Sequence, residues 1–206
     1  MSVDHLVYAT PELFRGVEEM EALLGIRASP GGQHLGFGTR NALIALGPDS
    51  YIEIIGPDPD QPKPASARRF GIDDLSESRL VTWAAKGTNL ENFRSNAVRN
   101  GVPLGEVTSA GRRRPDGVEL AWHSTNLQTV VADGIVPFFI DWGQSPHPAL
   151  TAASGATLVD LRAEHPDALT VEQMLRKLDL DVQVRPGPAA ALIATIDGAR
   201  GRVELR

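Results

Sequence analysis

His5 and Glu53 are the two residues of this chain whose types and setting point most directly to chemistry. His5 lies in the run VDHLVYA at residues 3–9, and Glu53 in the run SYIEIIG at 50–56. Both runs read as strands, because they are short, apolar and rich in β-branched and aromatic side chains. Side chains alternate across a strand, so Val3, His5 and Val7 share one face, as do Tyr51, Glu53 and Ile55. Each strand thus carries an ionisable group among apolar neighbours, on a face expected to look inward. Taking such a group out of water is costly unless it is paired, hydrogen-bonded or bound to a metal. Two readings follow. Either a metal or polar ligand sits in a cup, or imidazole and carboxylate hydrogen-bond to each other.

Other candidates carry an ordinary structural reading beside the functional one. His34 and Asn41 flank the start of a strand predicted at 41–46, in a run holding Gly31, Gly32, Gly36 and Gly38. Such glycines allow close backbone approach, for a ligand or for a turn. Trp83 and Trp122 fall in predicted strands, where an aromatic either walls a pocket or fills the core. Trp122 alternates with His123, so only one of the two faces inward. Asp141 is either a ligand or a cap on the turn after it. His147 and His165 each precede a proline and read as surface residues. The stretch GRRRPDG (111–117) has the composition of a hairpin connection, its arginines solvated rather than gathered on an anion.

A net charge of −6 argues against nucleic-acid or anionic-membrane partners. The absence of cysteine excludes a disulfide framework, a thiolate nucleophile and a Cys-based zinc site. There is no nucleophile elbow, Walker loop or dinucleotide fingerprint. No apolar run is long enough to span a bilayer and no signal-peptide pattern opens the chain. The expectation is a soluble, cytoplasmic protein.

The elements that must position these residues recur in three units, each a strand, a helix and then several strands. The first, residues 1–57, has a helix with Thr10 as N-cap, Pro11 at N1, Leu13, Val17, Met20 and Leu24 on its buried face, and Gly25 as terminator. Residues 58–78 form a Pro/Asp/Ser-rich linker with at most a short helix at 67–70. The second unit, 79–143, has a capping box at Thr88 and Glu91, a helix face of Leu90, Phe93 and Ala97, and strands near 104–108, 118–124 and 136–142. The third, 144–206, is a shorter β-α-β module with a capping box at Thr170 and Gln173. The fold class is α+β: repeated βαβββ modules forming a curved antiparallel sheet with helices outside. His5 and Glu53 then line the concave face.

The opening strand with His5, GGQHLGFGTRNALIALG (31–47), YIEIIGPDP (51–59), RRRPDG (112–117) and PFFIDWGQSPHP (137–148) together resemble the glyoxalase-like domain family of the vicinal oxygen chelate superfamily. The resemblance implies paired βαβββ modules and a divalent metal (Mn²⁺, Fe²⁺, Ni²⁺, Zn²⁺ or Mg²⁺) held by a His and a Glu from each module. On this chain it implies His5 and Glu53 as metal ligands and favours a place for Asn41 in the pocket; His34, Trp83, Trp122 and Asp141 remain the candidate substrate contacts, and a Glu53 able to leave the metal would also carry a proton. The second module departs from the pattern: Thr82 aligns with His5, and Ile140 or Asp141 with Glu53. The implied activity is a small-molecule lyase or isomerase acting on vicinal oxygens. The rival is a metal-free protein that sequesters a small ligand in the same cup. The partner in either case is a small molecule, and assembly as a homodimer is left open.

Overall fold

A computed structural model describes residues 3–206. Eight strands, in spatial order Val3–Ala9, Ser50–Pro57, Thr39–Gly47, Ser29–His34, Val107–Arg113, Glu119–Thr125, Phe138–Asp141 and Arg79–Lys86, close into a barrel, and four more form a second sheet. The first half of the barrel comprises β1 (Val3–Ala9), helix α1 (Leu13–Leu24), β2 (Ser29–His34), β3 (Thr39–Gly47) and β4 (Ser50–Pro57). The second comprises β5 (Arg79–Lys86), α2 (Leu90–Arg99), β6 (Val107–Arg113), β7 (Glu119–Thr125) and β8 (Phe138–Asp141). Each half repeats one order, its first strand beside its last, and those two pairings, β1 with β4 and β5 with β8, are parallel. The other barrel pairings are antiparallel.

The halves meet along two seams. On one side β1 and β5 pair over most of their length. On the other only Gln33 and Arg113 pair. There Gly32 has φ +152°, and a Cβ on it would stand 2.3 Å from the Arg113 carbonyl oxygen. The glycine run is therefore what lets the seam close.

Alternation sorts the side chains. Leu6, Tyr8, Ile52 and Ile54 face outward and are buried beneath Val17, Met20 and Leu24 of α1. The second sheet, of β9 (Thr157–His165), β10 (Gln183–Pro186), β11 (Ala191–Gly198) and β12 (Gly201–Leu205), adds Leu161, Ala194 and Ile196 to the same core, together with Val171 and Leu175 of α3 (Ala168–Lys177). Burying a Leu, Ile or Met side chain stabilises by about 1.5–3 kcal/mol each, so this outer layer holds the fold. The second sheet and α3 pack on the outside of the barrel and contribute nothing to the lining of the inner cavity.

Several local expectations are corrected. Helix α1 is capped by Glu12, whose carboxylate accepts from the Phe14 and Arg15 amides at 2.8 and 3.0 Å. Thr10 instead donates to the Glu12 carbonyl. Neither α2 nor α3 has the expected capping box: Asn89 and Asp167 precede them, without side-chain cap bonds. Strand β6 begins at Val107 and runs to Arg113, so the predicted turn starts inside a strand.

Candidate functional site

The inner face of the barrel lines a narrow cleft. The first half supplies polar groups: His5 from β1, His34 from β2, Asn41 from β3, and Tyr51 and Glu53 from β4. The second half supplies mostly apolar walls: Trp122 from β7, with Phe138 and Ile140 from β8. Arg112 of β6, Trp142 just past β8, and Arg69 and Phe70 of a short 3-10 helix (Arg69–Asp74) complete the lining.

Glu53 is held at one oxygen and open at the other. The Asn41 side-chain amide donates to Oε1 at 2.6 Å. Oε2 accepts no hydrogen bond from the described residues and faces His5 Nε2 at 3.9 Å. Asn41 also lies 3.4 Å from His34 Nε2, whose other ring nitrogen bonds Thr39 Oγ1 at 3.0 Å. Because the amide is the donor, His34 Nε2 carries the lone pair and Nδ1 the proton. Burial pushes the His34 pKa down to about 4, against the pull of the Glu53 charge. His34 is thus a neutral strut that fixes Asn41, and Asn41 fixes Glu53.

His5 is oriented from behind by a residue the alternation rule sends to the other face. Pairing between β1 and β5 slips at Asp4, so Val3 opposes Ala85 and His5 opposes Ala84. Such a bulge re-aims side chains. The buried Asp4 carboxylate meets His5 Nδ1 at 2.7 Å and accepts from Trp142 Nε1 at 3.1 Å. It also meets His147 Nε2 at 3.3 Å. Burial alone would raise the Asp4 pKa, but the hydrogen bonds from His147 and His5 outweigh it and hold the carboxyl well below its usual range. The Asp4 carboxylate thus fixes Nδ1 as the donating nitrogen and aims Nε2 into the cleft. Tyr51 stacks on the His5 ring, centroids 4.6 Å apart, and burial raises its hydroxyl well above the ordinary value.

Of the residues expected from sequence, His5, His34, Asn41, Glu53 and Trp122 come together here. Trp83 does not: it faces the outer core, fully buried, its indole N–H donating to the Ile135 carbonyl at 2.8 Å. Asp141 points away from the cleft and accepts from the Gly143 amide at 2.9 Å, whereas Ile140 faces in. Thr82, the position of the second unit that aligns with His5, pairs with Val7 across the seam and donates to the Gly134 carbonyl at 2.9 Å. His147, expected at the surface, braces Asp4. Asp4, Arg69 and Phe70 were not expected here, and Arg112, expected solvated in a turn, is instead buried in β6 and lines the cleft. For Arg112 a signal existed: a strand drawn through 107–113 puts it on the face of Ala110, among partly apolar positions.

The donor set does not fit a four-ligand metal site. Among the described residues no three His, Asp or Glu side chains converge on one point. The Asn41 amide stands between His34 and Glu53 Oε1, and the opposite half offers Ala84, Phe138 and Ile140. Arg69 and Arg112 add positive charge to the same cleft.

The model of the glyoxalase-like domain matches residues 3–178. This chain belongs to that family. A hypothetical protein from Staphylococcus aureus shares the fold, with a TM-score of 0.62 at 17% identity, over 98% of this chain and 83% of that one. Methylmalonyl-CoA epimerase from Mycobacterium tuberculosis aligns with a TM-score of 0.44 at 17% identity, over 69% of this chain and 88% of its own. The Streptomyces coelicolor epimerase, solved with 2-nitronate-propionyl-CoA, aligns at 0.45 and 18% identity, over 69% and 95%. No curated protein matches the chain. Among the described residues no helix is long and apolar enough to cross a membrane.

Proposed function

We propose that the family member described here is a small-molecule enzyme of the isomerase or lyase type, working by proton transfer at a carbon next to a carbonyl. The observation that carries this is the Glu53 carboxylate, fixed at Oε1 by Asn41 and free at Oε2, inside an aromatic-walled cleft. Oε2 takes the proton, and the electron pair of the broken C–H bond moves onto the carbonyl oxygen. The proton then returns from Glu53 to a neighbouring atom, or a leaving group departs in its place. His5 Nε2, aimed into the cleft by Asp4, is a second group for proton transfer within reach of the same substrate. With only His5 and Glu53 placed to share an ion, no step is routed through a metal.

Exchange of substrate protons in D2O, followed by NMR, tests the reading with hydroxyacetone, lactaldehyde and phenylpyruvate as probes. The expected result is exchange that Glu53→Gln slows by about 10²-fold or more. Exchange with none of the probes, or exchange untouched by Glu53→Gln, overturns it and leaves ligand sequestration as the function of the cleft.

A further inference from the structure

Five arginines, Arg68 and Arg69 in the linker and Arg112, Arg113 and Arg114 at the end of β6, are divided by their partners. Arg68 pairs with Asp73, Arg113 with Glu119 at 2.6 Å, and Arg114 with Asp116 at 2.7 Å. Arg69 and Arg112 have no ion-pair partner among the described residues, and these are the two that line the cleft. Arg112 is 6% exposed, its Nη1 donating to the Gly31 carbonyl. Arg69 is held over the Phe37 ring, its guanidinium carbon 3.7 Å from the centroid. Beside it Phe70 has φ +62°, a left-handed conformation that is uncommon for a bulky side chain and gathers at functional sites. That backbone sets Phe70 against Phe138, centroids 6.3 Å apart, and leaves Arg69 facing the cleft.

We propose that Arg112 and Arg69 bind the carboxylate of a small substrate whose body is apolar or aromatic. A buried guanidinium cannot shed its proton, so leaving it unpaired is costly and an anion completes it. Two guanidiniums face one carboxylate in the lining, Glu53, whose Oε1 already serves Asn41. One positive charge is left over, which suits a singly charged carboxylate better than a doubly charged phosphate ester. Guanidinium and carboxylate also match in plane and spacing. Trp122, Trp142, Phe70 and Phe138 supply the wall against which the rest of the substrate stacks.

The proposal names the substrate class for the cleft to which proton transfer was assigned, but it is tested by binding alone, so the two can fail separately. Calorimetric titration compares phenylacetate, its neutral isostere phenylacetamide, and phenyl phosphate on the intact chain. Phenylacetate is expected to bind at least about tenfold tighter than the amide. Arg112→Met and Arg69→Met should each remove most of that advantage while leaving the amide unchanged. If Arg112→Met does not fold, Arg69→Met, on a short peripheral helix, decides the matter. Equal binding of acid and amide, no binding of phenylacetate, or an advantage that survives in Arg69→Met overturns the proposal. Tighter binding of phenyl phosphate overturns the assignment to a carboxylate. Carboxylate binding without proton exchange would retain the anion site and discard the catalytic reading.

Discussion

The two halves of the barrel share one topology and divide the work of the cleft between them. In the first half, the inward positions of strands β1, β3 and β4 carry His5, Asn41 and Glu53, with Asp4 and His34 behind them. In the second, strands β5, β7 and β8 place Ala84, Trp122, Phe138 and Ile140 inward, and the polar exception is a cation, Arg112. One half holds a carboxylate and the braces that orient it. The other holds walls and a charge. A repeated fold has thus become an asymmetric site by substitution at inward-facing positions, without change to the strand order that places them.

The comparison can be broken most forcefully at Trp83 and Trp122, both in the second half but on opposite faces of the sheet. Trp83→Ala removes a fully buried indole and its hydrogen bond, and should cost about 3–5 kcal/mol in denaturant unfolding. Trp122→Ala opens onto existing empty space and should cost less stability while weakening ligand binding. Similar stability losses in both would contradict the division between core and wall.

Asp4 tests the bracing of the first half. Asp4→Asn weakens a carboxylate that meets His5, Trp142 and His147, and should destabilise by about 1–3 kcal/mol. The folded Asp4 carboxyl titrates below its ordinary value of 3.8, so the folded state binds fewer protons than the unfolded one. The advantage of wild type over Asp4→Asn is therefore whole above 3.8 and is lost as the pH falls through the depressed folded value. Unfolding curves across that acid range check it. An advantage that grew on acidification would refute the bracing.

A comparable, pH-dependent effect sits at His34. Its ordinary value of 6.5 falls to about 4 on burial, so its contribution is complete above 6.5 and declines as the pH drops from there toward 4. An NMR titration should show the His34 ring still neutral at pH values where a solvated imidazole is charged. The smallest change is expected at Arg113, an exposed partner of Glu119: Arg113→Ala should alter stability by less than about 1 kcal/mol and leave ligand binding unchanged.

What the sequence disclosed depended on how local the determining physics is. Alternation in VDHLVYA and SYIEIIG is a property of the strands themselves, so His5 and Glu53 could be placed facing inward from the chain alone. Helix faces were equally legible, since Val17, Met20 and Leu24 repeat at helical spacing. Helix starts were less so, because Glu12 competed with Thr10 for the cap, and Asn89 precedes α2 in a left-handed conformation with no side-chain bond. Asp4 was hidden because a one-residue slip between β1 and β5 is set by the partner strand. Trp83 was misplaced because the register of β5 decides which tryptophan sees the cleft. Arg69 and Arg112 escaped because polar segments read as linker and turn. Only the closed barrel shows that one folds over the mouth and the other points inside.

The central claim is that Glu53 acts as a proton carrier in its own right rather than as a ligand. The most direct measurement is the rate of substrate proton exchange before and after exhaustive chelation, with metal content read by elemental analysis on the same samples. The account predicts a rate unchanged by chelation. A rate lost on chelation and restored by Mn²⁺, Fe²⁺, Ni²⁺ or Zn²⁺, with the metal absent from His5→Ala, would contradict it.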